Sequence, residues 1–152
     1  LFYLVFTPLT AYPVYWLLGL FYEASLLSAD IILINDLIAI ELIPACIAGA
    51  AYYLLLILNL ATPKINPGSR IKAIAFSFAA FLVVNILRIV LLSFIAISGS
   101  PLFDVTHSLL WYGISTVFVV GIWFAEVKLF KIKEIPFWSD FKFLLKESKL
   151  RK

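Results

Sequence analysis

The sequence predicts an all-α integral membrane protein: a bundle of about four transmembrane helices, with a short external hairpin-like segment before the second helix and a basic amphipathic cytoplasmic tail. Three observations carry this prediction. Of 152 residues, 64% are hydrophobic and 14% charged, with a mean hydropathy of +1.07, more apolar surface than a soluble core of this size can bury. The apolar residues fall into runs close to the ~20 residues a helix needs to cross a bilayer, separated by proline, glycine and polar breaks. Eleven of the twelve basic residues lie in only two places, which sets an orientation. Residues 1–127 form the transmembrane domain on this reading, and 128–152 the tail. One cysteine and one histidine exclude a disulfide framework and a cysteine/histidine metal cluster, so neither metal nor cofactor is expected.

Leu1 to about Phe21 is the first apolar segment, with Pro8 and Pro13 predicting a kink. The chain has no methionine, which predicts that its true start is missing or that it is processed or trimmed. The first segment is therefore not read as a cleavable signal. Between Glu23 and Ile43 the aliphatic runs shorten. Ile31–Ile34 and Leu37–Ile40 flank Asn35-Asp36, a two-residue turn signal, because Asn and Asp tolerate left-handed conformations. This hairpin is expected to lie flat at the membrane interface, with a short buried helix as the alternative. Pro44 suits the first position of a helix, so the second spanning helix runs from about Cys46 to Ala61 with Cys46 in its first turn. Ala45, Ala48, Gly49, Ala50 and Ala51 around it are small enough for a helix or peptide to approach closely.

The loop from Thr62 to Arg70 precedes a third helix over about Ile71–Ile97, in which Asn85 and Arg88 share one face. Ser98-Gly99-Ser100-Pro101 is a break. The fourth helix starts near Asp104 or Thr106, either of which suits the capping position, and continues to about Val127 with His107 in its first turn. From Lys128 onward aromatic and aliphatic residues alternate with lysines, as in a helix lying on a membrane surface.

Lys64, Arg70 and Lys72 lie between helices two and three, and eight further basic residues follow helix four, so both termini face the cytoplasm. The acidic connections bearing Glu23, Asp30, Asp36, Glu41 and Asp104 are external. Arg88 is the twelfth basic residue and lies inside a helix. Its default role is functional, facing the bundle or a wet cavity; the plainer one is snorkelling, or pairing with Asp104. Depth follows from ~1.5 Å per helical residue. Sixteen residues separate Lys72 from Arg88, eighteen separate Lys64 from Cys46 and twenty-one separate Lys128 from His107. These separations are ~24, ~27 and ~31 Å. The only cysteine, the only intramembrane arginine and the only histidine are thus expected in one layer at the external surface.

That trio is a kit for acyl transfer. A thiolate attacks a peptide carbonyl, an acid protonates the leaving amine, and a cation or N–H donor stabilises the oxyanion. Cys46 is the candidate nucleophile, favoured as thiolate by the start of its helix, whose N–H groups also offer an oxyanion site. His107 is the candidate acid/base, since histidine ordinarily titrates near neutrality. Arg88 is the candidate electrostatic group. Asn85 is positioned to hold the substrate carbonyl or orient Arg88. Asp104 is a third triad member or, more plainly, a helix cap. Taken alone, Cys46 reads as an inert small hydrophobe and His107 as an interfacial polar residue.

Cys46 with Gly49 three residues on, Asn85-Ile86-Leu87-Arg88-Ile89, and His107 with Gly113 six residues on resemble, in that order on successive helices, the exosortase/archaeosortase family. The resemblance covers about Ile38 to Phe124, and its most specific part is the asparagine-x-x-arginine element. These are multi-spanning membrane transpeptidases that share catalytic residue types, not fold, with soluble sortases. The resemblance implies recognition of a C-terminal sorting signal, made of a short external motif, a transmembrane helix and a basic tail. It further implies cleavage through a thioester on Cys46, with Arg88 and His107 in the other two catalytic positions, and transfer to an acceptor amine, a lipid headgroup in some archaeal members. The expected partners are therefore membrane-anchored protein substrates, an amine acceptor and the bilayer, with no nucleic acid. Two departures stand out. Ile47-Ala48 occupy the positions where many members carry a hydroxyl residue and glycine, and about four spans is fewer than bacterial members commonly have. The latter fits a compact archaeal form or an incomplete N-terminus, and His107 fits the cysteine-arginine-histidine version rather than the one with a second arginine. The competing expectation is a non-enzymatic transporter or membrane-complex subunit, in which Arg88 is an ion-pathway or packing residue. Simple hydrolysis differs from transpeptidation only in the acceptor.

Overall fold

The computed structural model describes residues 2–63, 65–110, 113 and 115–130. The chain is mostly helical with one small sheet, in the order α1 (Phe2–Gly19), β1 (Ala24–Leu26), β2 (Ile31–Ile34), β3 (Ile38–Glu41), α2 (Pro44–Ile47), α3 (Gly49–Ala61), α4 (Pro67–Ile97), α5 (Phe103–Leu109) and α6 (Ser115–Leu129). Two stretches, Pro44–Ala61 and Pro67–Ile97, are long and apolar enough to cross a membrane by length and composition. The expected basic tail beyond residue 130, and Lys64, lie outside the described residues.

α4 is the element the others pack on. Its buried residues Ala73, Ser77, Phe81, Asn85, Ile89 and Ser93 recur every four positions and form one ridge. Small and polar residues make up most of that ridge, so neighbouring helices come close and find hydrogen-bond partners. The opposite face is exposed and apolar, with Ile71, Val83, Leu87 and Leu91. α1 lays a similar row against α4, with Phe6, Thr10, Val14 and Leu18 buried. Phe6 stacks on Tyr52 of α3 at 3.8 Å between ring centroids, and Tyr52 meets Phe81 edge-on at 5.0 Å. That aromatic cluster joins α1, α3 and α4. Pro8 and Pro13 lie inside a continuous α1.

The hairpin expected around Asn35-Asp36 is present. Both residues have positive φ (51° and 53°), and the Leu37 N–H donates to the Ile34 carbonyl at 3.1 Å. Ile34 pairs with Ile38, so Leu37 is an additional turn residue and the second strand starts one position later than expected. A third strand, β1, pairs antiparallel with β2 to give the order β1-β2-β3. Ile32 and Ile34 of β2 are buried and fasten the sheet to the helical core.

Three helix boundaries differ from expectation. α4 begins at Pro67 rather than near Ile71, because proline at the first position loses no hydrogen bond. The second helix is not continuous: Ala48 adopts a left-handed conformation (φ 55°, ψ 45°) that ends α2 after four residues before α3 restarts at Gly49. The fourth helix is also divided. α5 ends at Leu109, Leu110 and Gly113 are π-helical, and α6 starts at Ser115. α5 begins after Leu102, with no side-chain cap, so Asp104 lies exposed inside its first turn and not at its cap.

A second polar layer lies farther along the bundle. Glu126 of α6 is buried, and its Oε2 accepts from Asn59 Nδ2 of α3 at 3.0 Å and from the Ser77 hydroxyl of α4. Eleven residues, about three helical turns or ~16 Å, separate Ser77 from Arg88 and Ser115 from Glu126, so each pair shares a helix face.

Candidate active site

The site grows from the interruption at Ala48. Ile43 is extended and Pro44 starts the turn, in which the N–H groups of Cys46 and Ile47 donate to the Ile43 carbonyl (2.7 and 3.4 Å). The Ala48 N–H closes on the Pro44 carbonyl at 3.2 Å. Because the helix stops there, the Cys46 carbonyl is one of the acceptors a helix end leaves over. α4 supplies its donors: Asn85 Nδ2 reaches it at 2.9 Å and Arg88 Nη2 at 3.1 Å. The one-face spacing of Asn85 and Arg88 thus converges on a single oxygen. A left-handed alanine costs ~1–2 kcal/mol, which two hydrogen bonds, one of them charge-assisted, can offset.

The other arm of Arg88 extends to α6. Nη1 donates to Ser115 Oγ at 2.7 Å, and the Ser115 hydroxyl donates in turn to the Leu110 carbonyl at 2.6 Å. Arg88 therefore ties the cysteine turn to the start of α6, beside the π-helical Leu110 and Gly113, a kind of irregularity frequent at functional sites. Its Nε and the Oδ1 of Asn85 are buried without a hydrogen-bond partner among the described residues. No carboxylate pairs with Arg88 among those residues, so the expected alternative of pairing with Asp104 is not realised.

Cys46, Arg88 and His107 line one partly open cavity of about 270 Å³ between β3, α4 and α5. The depth estimate from charges had placed these three in one layer, and the fold puts them around one space. His107 is stacked on Phe103, with ring centroids 5.5 Å apart and planes 5° from parallel. Asn85 sits behind the cavity on the Cys46 carbonyl. Gly49 is one turn further on under Tyr3, whose Cζ would lie 2.9 Å from a Cβ at that position. Asp104 does not line the cavity, and no hydrogen bond joins it to His107 among the described residues.

Two features of the cysteine turn correct the sequence reading. The N–H groups of Cys46, Ile47 and Ala48 are already bonded within the turn, so they do not form an oxyanion site. A helix of four residues also lacks the aligned peptide dipoles that a long helix would bring to the thiol. The charged group that reaches this turn is Arg88, through the Cys46 carbonyl.

Compared with protein-family models, curated proteins and solved structures, the chain matches none significantly. Ser115 is the member of the site that sequence reasoning missed. A small polar residue just after Gly113 in an apolar run was its only signal. Glu41 and Ser93 also line the cavity. Glu126 and Asn59 were missed as well, although a carboxylate and an amide inside apolar helices are a recognisable signal for buried polar contacts.

Proposed function

We propose that this chain is a membrane-embedded cysteine transpeptidase or protease that cleaves C-terminal sorting signals of exported proteins at the external membrane face. The observation that carries this reading is the convergence of Cys46, Arg88 and His107 on one cavity from α2, α4 and α5. Motif order resembling the exosortase/archaeosortase family supports it. So does the outward apolar face of α4, which has the polarity a lipid-facing helix requires. In this reading about four helices span the plasma membrane, and both termini and the basic tail are cytoplasmic.

The chemistry is thiol acyl transfer. His107 takes the Cys46 proton as Sγ attacks the peptide carbonyl, forming the C–S bond. Collapse of the tetrahedral intermediate breaks the C–N bond, and His107 returns the proton to the departing amine. Arg88 holds the cysteine turn through Nη2 and the start of α6 through Nη1, and its Nε–H, without a partner among the described residues, is a donor for the oxyanion. An acceptor amine, a lipid headgroup among the candidates, then attacks the thioester. An amide forms, the C–S bond breaks and the thiol is regained. Water in place of the amine gives a carboxylate. Asn85 and Ser115 act as positioning residues, through Cys46 and Arg88 respectively.

Replacing Cys46 by alanine is expected to leave the protein in the membrane at normal level while tail-anchored precursors accumulate, read by mass spectrometry of membrane-protein C-termini. Unchanged maturation refutes the proposal. A new C-terminus carrying an amine-linked group marks transpeptidation, and a free carboxylate marks hydrolysis. The second reading, a non-enzymatic transporter or complex subunit, is favoured by one observation: both Nη groups of Arg88 are engaged in holding helices together. It predicts that Cys46 is replaceable without loss.

A further inference from the structure

Every residue from Ile38 to Ile43 borders the cavity in succession. Side chains along a strand alternate between its two faces, so a space touching only one face would meet every second residue. A space that meets Ile38, Ala39, Ile40 and Glu41 in turn lies against the edge of β3. One edge of β3 is paired with β2, and among the described residues no strand pairs with the other.

The pairing also shows which main-chain groups face that free edge. The Leu42 N–H donates to the Asp30 carbonyl at 2.7 Å, continuing the β2·β3 register in which Ile40 opposes Ile32 and Ile38 opposes Ile34. In an antiparallel pair, hydrogen-bonded and non-hydrogen-bonded positions alternate. Leu42, Ile40 and Ile38 therefore direct their N–H and C=O groups toward β2. Ala39 and Glu41, both exposed, direct theirs away from it, along the cavity side. The chain from Glu41 reaches Cys46 within five residues, and Cys46 borders the same space. Leu92, Ala96 and Phe103 form an apolar wall opposite.

We infer that the free edge of β3 binds substrate: an extended segment of the polypeptide adds to it as a fourth strand, hydrogen-bonded to the main chain of Ala39 and Glu41, and is carried past the Cys46 thiol. This rests on the transpeptidase reading and names the substrate's form. A free edge with alternate donors and acceptors is a template for an extended main chain, and it does not match a helix or a compact small molecule. The four residues of β3 span ~13 Å, so the recognised segment is short, about four residues. Hydrogen bonds from the edge fix its direction and depth irrespective of side chains, and the apolar wall selects among them.

The test compares full-length wild type, Cys46→Ala, Ala39→Pro and Ala39→Val in host cells lacking the native copy. Proline is tolerated where an edge strand's N–H faces outward, so Ala39→Pro removes the outward donor and blocks strand addition while leaving the β2 ladder in place. The expected result is that Ala39→Pro accumulates the same precursors as Cys46→Ala, with roughly tenfold or greater loss of mature product, while a small thiol reagent still modifies its cysteine at the wild-type rate. Ala39→Val, which keeps the N–H, retains more mature product than Ala39→Pro; equal losses in the two would assign the effect to the side chain and overturn the inference. A second measurement needs no variant of the enzyme: proline scanned through a precursor identified in Cys46→Ala blocks cleavage at alternate positions, and a scan without that period of two overturns the inference. No precursor in Cys46→Ala refutes the transpeptidase reading and the strand addition with it. Precursors in Cys46→Ala but normal maturation in Ala39→Pro refute the strand addition alone. A dimer that Ala39→Pro converts to monomer would assign the edge to a second copy of the chain and overturn the inference.

Discussion

The Cys46 carbonyl accepts two side-chain hydrogen bonds from α4, and removing both donors has a consequence that removing either does not. Asn85→Leu leaves Arg88 Nη2 on that oxygen at 3.1 Å, and Arg88→Met leaves Asn85 Nδ2 at 2.9 Å. Asn85→Leu is expected to cost about 1 kcal/mol, one neutral hydrogen bond. Arg88→Met is expected to cost about 2 kcal/mol; it loses charge-assisted bonds, but Ser115 keeps the Leu110 carbonyl as its partner. The double variant strands the carbonyl, adding a desolvation penalty of ~1–3 kcal/mol. Cys46 is only half-buried, so the lower part of that range applies. The double variant should therefore be destabilised by about 4–5 kcal/mol, about 1–2 kcal/mol beyond the sum of the singles. Reversible unfolding in mixed detergent micelles measures this cycle directly. Additivity within ~0.5 kcal/mol would show that the two side chains do not share the oxygen, and would remove the physical reason given for the cysteine turn.

Three further outcomes follow from the same geometry. Ala48→Gly should raise stability by about 0.5–1 kcal/mol, since glycine adopts the left-handed conformation without alanine's steric cost, and a loss of stability in thermal unfolding would contradict that backbone. Asn59→Leu takes one of two donors from the buried Glu126 carboxyl and should cost about 1–3 kcal/mol; adding Glu126→Leu should recover part of it, and a strictly additive double variant would argue against the polar cluster. A membrane-impermeant thiol reagent applied outside intact cells should label the single cysteine, and labelling only after cytoplasmic access is opened would invert the proposed topology.

The parts of this fold that the sequence revealed are those governed by local chemistry. Asn35 and Asp36 announced the hairpin because their side chains tolerate positive φ, and Pro44 announced a helical start because its missing N–H costs no hydrogen bond there. Helical spacing put Asn85 and Arg88 on one face, and both donate to the Cys46 carbonyl; charge placement made Cys46, Arg88 and His107 expected neighbours in depth, and the three line one cavity. What stayed hidden depends on tertiary partners. Alanine is the best helix former, so nothing local marks Ala48 as a break; the carbonyl it frees is held by residues of another helix. β1 has only three residues and owes its existence to pairing with β2. The division of the fourth helix shows only when the Ser115 hydroxyl is seen between Leu110 and Arg88. Depth arithmetic had put Arg88 at the level of the cysteine, but not its grip on the cysteine's carbonyl.

The acyl-enzyme itself is the most direct test of the account. Membranes from cells expressing the wild-type chain, digested and analysed by mass spectrometry, should yield a Cys46 peptide bearing a polypeptide in thioester linkage. Neutral hydroxylamine should release it, and it should be absent from Cys46→Ala and strongly reduced in His107→Ala and Arg88→Met. A Cys46 that carries no hydroxylamine-labile adduct, in cells whose precursors mature equally well with Cys46→Ala, would contradict the account and return Cys46 to the role of a packing residue.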